Sequence, residues 1–205
     1  MLPTQCLMPD LKSECKSLRP TLVMVNTFFD DPEREFGLLR RLLVHWLDRA
    51  INEYDYARDA IIDQIAEMQR TPEEMSQTGS IIYMLHFSDH IENCLILTRR
   101  ILRVLDKLKR VPLADIDREK RRYIDAHSND FVKVRDALEH VVEITAGGKL
   151  PQQGSLLANL TLDEAGIEVG GRIVTFNQLC SILRQFHAIA QKILDIQSGI
   201  VESST

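Results

Sequence analysis

Val134-Arg135-Asp136-Ala137-Leu138-Glu139-His140 decides how this chain is read. It lies in a segment, about Asp115 to Thr145, whose apolar residues return at helical spacing. Each residue of a helix turns about 100° from the last, so Phe131, Val134, Leu138, Val141 and Val142 share one face. Asp136 and His140, four apart, stack as neighbours on the other side. Arg135 and Glu139, also four apart, form a row between that side and the apolar stripe. One turn therefore offers a permanent cation, an imidazole that titrates near neutral pH, and two carboxylates. Phosphate chemistry without a metal needs those groups. The competing reading is an ordinary solvated face of an amphipathic helix.

Outward from this helix the pattern stays helical. Asp30-Asp31-Pro32-Glu33 predicts a helix start, with an Asp cap, Pro in the first turn and acids at the positive end of the dipole. Phe36, Leu39, Leu43, Trp46, Ala50, Tyr54, Ala57, Ile61, Ile65 and Met68 then keep a 3.6-residue period to about Gln69. Thr71-Pro72-Glu73-Glu74 can restart a short helix, and Thr78-Gly79-Ser80 reads as a hinge. A second long helix is expected from about Ser80 to Arg110, with Met84, Ile91, Leu95, Thr98, Leu102 and Leu105 inward, ended by Val111-Pro112. The motif helix is expected to stop near Ala146-Gly147-Gly148. From about 157 to 175 the texture alternates apolar and polar, with Gly170-Gly171 as a turn, which predicts a small hairpin or three short strands. A last helix is expected from Phe176 to Gln197. The fold expected is mainly α, four-helix bundle-like, with a small β insertion before the last helix. Residues 1–31 read as an irregular arm, with Leu22 to Val25 tacked onto the core. Residues 32–199 read as one helical domain, and 200–205 as a flexible tail.

Composition narrows the function. The chain has 205 residues, 44% hydrophobic and 27% charged, with a net charge of −5. That size and balance suit one soluble domain with a real core. The acidic balance argues against a surface that coats nucleic acid indiscriminately. A local basic run remains on the second long helix: Arg99, Arg100, Arg103 and Lys107, continuing through Lys109, Arg110, Arg118 and Lys120 to Arg122. It reads as a candidate phosphate-binding strip or as a solvated helix end. No apolar run approaches the roughly 20 residues of a membrane span. The opening residues lack the pattern of a secretory signal, so the cytoplasm is the expected address.

The four cysteines are scattered and form no C-x-x-C pair. Cys94 and Cys180 read as buried thiols. His86 and His90 are four apart, the spacing of a metal-ligating pair, but no H-E-x-x-H or Glu-x-x-His pattern accompanies them. No metal and no cofactor are expected. His45 and His187 fall among core formers and read as core or boundary residues, and His127 as exposed. Gly147-Gly148 and Gly170-Gly171 lack the context of a phosphate loop, and there is no G-x-S-x-G element. Phe28, Phe29, Phe36 and Trp46 do not form a basic-aromatic stacking platform.

Arg135-Asp136-Ala137-Leu138-Glu139-His140, near the end of a helix in a small helical domain, resembles the R-x4-6-H signature of the HEPN superfamily. Arg135 and His140 match its two defining positions, and Asp136 matches the polar residue that commonly follows the Arg. In architecture the resemblance extends over about Pro32 to Gln197; in specific residues it is confined to Arg135–His140. It implies a metal-independent endoribonuclease in which two protomers bring their motif helices together around one cleft. His140 would be the general acid or base, Arg135 would stabilise the phosphate charge, Asp136 would orient the imidazole, and Glu139 would stand beside them. The alternative it implies is a non-catalytic module that binds RNA, a nucleotide or a protein such as an antitoxin-like partner. An unrelated bundle whose Arg135 and His140 are mere surface residues is the third reading.

Overall fold

The computed structural model describes residues 8–29, 33–139, 158–161, 165–169 and 171–198. Among them the chain is mainly helical, with a three-stranded antiparallel sheet before the last helix. The helices are α1 (Arg19–Phe28), α2 (Arg34–Glu67), α3 (Pro72–Thr78), α4 (Met84–Leu108), α5 (Arg118–Glu139) and α6 (Phe176–Ser198). The strands are β1 (Asn159–Thr161), β2 (Gly166–Val169) and β3 (Arg172–Thr175).

The 3.6-residue period of α2 became burial: Phe36, Leu43, Ala50, Tyr54, Ala57 and Ile61 are all in the core. Helix α4 lies antiparallel to it. Arg100 sits over Trp46, His90 meets Glu53 and the Tyr83 amide meets Gln64, so α4 descends as α2 climbs. Buried residues of α4 include Phe87, Ile91, Leu95, Thr98, Leu102 and Leu105, as its period predicts. Packing continues from α4 to α5, from α5 to α6 and from α6 back to α2, which closes a ring around the apolar interior.

The connections explain where the helices start. Thr71 and Glu74 form a capping box on α3: the hydroxyl accepts the Glu74 amide, and the carboxylate accepts the Thr71 amide at 2.8 Å. Gly79 follows at φ +75°, a conformation that glycine adopts without strain. After α4 a 3-10 turn (Pro112–Ala114) redirects the chain, and the Asp117 carboxylate accepts the Glu119 amide at 2.7 Å to open α5. At the head of α6, Thr175 and Gln178 exchange the same reciprocal bonds. Helix α2 begins at Arg34 with Glu33 as an extended N-cap and no side-chain cap, so its start is not the expected one with an Asp cap and a first-turn Pro. The expected end of α5 near Gly147 lies outside the described residues.

The β insertion falls where the alternation predicts. Strand β2 pairs with β1 and β3, and Ile167 and Val174 are buried where the sheet meets α5 and α6.

The N-terminal arm departs from expectation. Residues 19–28 are helical, and Met8, Leu11, Cys15, Leu18 and Val25 are buried, so this segment completes the core instead of trailing from it. Polar contacts strap it down. Tyr54 Oη and Arg58 Nε donate to the carbonyls of Pro9 and Met8, each at 3.1 Å. Lys12 reaches Asp55 at 2.8 Å, and Arg184 grips Glu14 through two nitrogens at 2.6 and 2.8 Å. Of the stretch expected to touch the core, Val25 is buried while Val23 is 63% exposed.

Candidate functional site

Helix α5 anchors the motif from below. Phe131 and Val134 are fully buried, and Ala137 and Leu138 pack on the core while partly exposed. The face assigned from periodicity is thus the buried one, and Leu138 lies at its margin. With the helix so rotated, Arg135 and Asp136 emerge beside the core. The Arg135 side chain is largely covered, at 16% exposure, whereas Asp136 is 47% exposed.

Arg135 meets the carboxylate next to it in sequence. Its Nη1 donates to Asp136 Oδ1 at 2.8 Å. A guanidinium on a long stem can fold back onto the next residue when both side chains leave the helix at the edge of a packed face. The resemblance implies that Asp136 orients the imidazole of His140, a contact outside the described residues; within them Asp136 accepts a bond from Arg135. Glu139 is the last described residue of α5, its side chain lies outside the description, and His140 lies outside the described residues altogether.

The basic strip divides. Arg100, Arg103 and Lys107 are exposed on one face of α4, and Arg99 is half-buried. The Arg100 guanidinium carbon lies 5.9 Å from the Trp46 ring centroid, so one cation of the strip is held against an aromatic face. Lys109 turns away to Asp106 and Asp125, which bind α4 to the start of α5.

The histidines sort by their partners. His90 Nδ1 meets Glu53 Oε2 at 2.8 Å, while His86 is exposed at the edge of the Tyr83 ring. The two therefore differ in surroundings despite their spacing. His187 donates through Nε2 to the Lys16 carbonyl at 2.8 Å, a satisfied boundary residue. His45, expected at the core or its boundary, is exposed: the helix turns it away although its neighbours Val44 and Leu47 are buried. His127, expected to be exposed, is half-buried, stacked on Tyr123 and bonded to its carbonyl at 2.8 Å.

Cys94 and Cys180 are buried thiols as expected, but the pairing of Cys180 escaped the sequence reading. Cys180 Sγ donates to Tyr54 Oη at 2.9 Å, and Cys94 and Cys15 are also buried free thiols. Burial pushes the Cys15 thiol up to about 11 and raises Cys94 and Tyr54 further, so these groups stay neutral and serve packing. The one signal available was the placement of Tyr54 on the periodic face of α2.

No family model, curated protein or solved structure matches this chain. No helix among the described residues is long and apolar enough to cross a membrane.

Proposed function

We propose that this chain is a HEPN-like, metal-independent endoribonuclease that acts as a homodimer through α5. The observation that carries the reading is the placement of Arg135: a cation at the margin of a core-anchored helix, five residues before His140, with its guanidinium oriented by a carboxylate. Two such helices related by a two-fold axis would set two Arg135 and two His140 side chains around one cleft. One His140 takes the proton of a ribose 2′-hydroxyl as its oxygen attacks the adjacent phosphorus. The other returns a proton to the departing 5′-oxygen, leaving a 2′,3′-cyclic phosphate. Arg135 neutralises the charge that grows on the nonbridging oxygens. Asp136 holds Arg135 in place and, as the resemblance implies, orients the imidazole of His140. The exposed Arg100, Arg103 and Lys107 would guide the RNA backbone.

The second reading is a non-catalytic HEPN-like module that binds RNA or a protein partner. The covered state of Arg135 favours it, since a guanidinium 16% exposed and bonded to its neighbour offers little of itself to a phosphate. Cleavage of single-stranded RNA in EDTA separates the two. The ribonuclease yields cyclic phosphate ends, leaves DNA intact, and loses roughly 10²-fold or more in His140→Ala. Absence of cleavage across RNA pools at micromolar dimer, with the protein folded, leaves the binding module standing.

A further inference from the structure

The end of α2, the start of α4 and the sheet enclose an open groove of about 670 Å³. Its apolar wall is Met68, Ile82, Met84 and Leu160, and its polar groups are Gln64, Asn159 and Glu168. Successive side chains of a strand point to opposite faces of a sheet, so Asn159 and Leu160 both reach one groove where it follows the edge of β1. That edge is open among the described residues, because the sheet order is β1-β2-β3.

The rim is apolar and held out in water. Ile81, Ile82 and Leu85 are 51%, 64% and 67% exposed, and Met68 is 41% exposed. Their loop is firmly built. Arg70 bonds Glu67 at 2.7 Å, the Gly79 carbonyl at 3.2 Å and the Glu74 carbonyl at 3.0 Å. Glu67 accepts the Ile81 amide at 3.2 Å, and Gln64 accepts the Tyr83 amide at 2.9 Å. Large apolar side chains fixed beside a groove mark an interaction surface rather than a loose loop.

Charge selects the occupant. Glu67 is engaged by Arg70, but Glu168 lies half-buried in the groove, and its carboxylate has no hydrogen bond or ion pair among the described residues. An unpaired carboxylate in an apolar-walled groove favours a cationic occupant over an acidic one. A second copy of the chain would not supply a cation by an isologous contact, which lays groove on groove, because the described lining holds no Lys or Arg. We propose that this groove docks an extended segment of another protein that carries a Lys or Arg between large apolar residues. The segment would add a strand to the β1 edge, seat its apolar side chains against Ile82, Met84 and Leu160, and place its cation on Glu168.

The test uses the full chain and a fluorescent synthetic peptide alternating valine and lysine, with a valine–glutamate peptide as its counterpart. Anisotropy should show binding of the first and not the second. Glu168→Gln and Ile82→Ser should each weaken it by roughly tenfold or more, as loss of a half-buried charge pair or an apolar anchor implies. Glu73→Gln, a carboxylate on the exposed face of α3, should leave it unchanged, and thermal unfolding should match the parent for all three. Equal binding of both peptides, no binding of the lysine peptide at about millimolar concentration, or indifference to Glu168→Gln would overturn the proposal. So would a self-association seen by sedimentation that Ile82→Ser abolishes, which assigns the groove to a second copy.

Discussion

Arg135 bonds the carboxylate of Asp136, the very next residue, at 2.8 Å. The cation of the motif is thereby met by a negative charge in its own protomer, and any anion that approaches Arg135 competes with Asp136.

Asp136→Asn should therefore strengthen binding of single-stranded RNA. Lifting that competition should steepen the dependence of log K on log salt by up to about 0.7, the share of one phosphate contact. Anisotropy titrations across a salt series read both quantities. An unchanged affinity and slope would mean that Arg135 does not face the nucleic acid.

Depth in the core should grade the cost of truncating α5. Phe131→Ala, at a fully buried site, should destabilise by about 3–5 kcal/mol. Leu138→Ala, at the margin, should fall below the range of about 2–5 kcal/mol for a fully buried leucine. Urea unfolding of the two variants checks the order.

The clasp between Arg184 and the N-terminal segment should depend on pH. The hydrogen bond from Arg184 holds the Glu14 carboxyl below its usual 4.5. A carboxylate depressed in the folded state adds stability that is complete above its unfolded value and is lost as pH falls through its folded one. Amide exchange across residues 8–18 should accelerate, relative to its intrinsic rate, below about pH 4.5, the unfolded carboxyl value. Glu14→Gln should remove that dependence.

Gly166→Ala should damage the sheet. A Cβ there would meet the Val174 carbonyl oxygen at 2.6 Å and the Thr175 Cα at 2.8 Å. Both are backbone atoms of the paired strand, so relief requires moving β3, at about 1–3 kcal/mol. Gly79→Ala has open space but meets the strain of φ +75° and ψ 177°, a region essentially confined to glycine, about 1–3 kcal/mol. Thermal unfolding checks both, and a loss below about 0.5 kcal/mol for Gly166→Ala would contradict the crowding.

Local repetition made much of the fold legible. Helices α2, α4 and α6 and the strands near 159–175 appear where the periods of 3.6 and 2 place them. The arm was less legible, although its core residues Met8, Leu11, Cys15, Leu18, Leu22 and Val25 are three or four apart. Only residues 19–28 of that series are helical, with Pro20 at the start, so the spacing lacks the continuous run that a periodic reading needs.

The sequence by itself determined the long helices and the short strands, and that Phe131 and Val134 face inward, because backbone hydrogen bonding and side-chain direction depend on near neighbours. Tertiary structure decided the partners. Arg40, a charged residue of α2, is fully buried and donates to Asn26 of α1 at 2.6 Å. Cys180 and Tyr54 meet though 126 residues apart, and Arg184 reaches Glu14 across 170. Burial and charge pairing depend on which elements touch, and a one-dimensional pattern constrains the face a helix shows to the core far more than the group that comes to meet it.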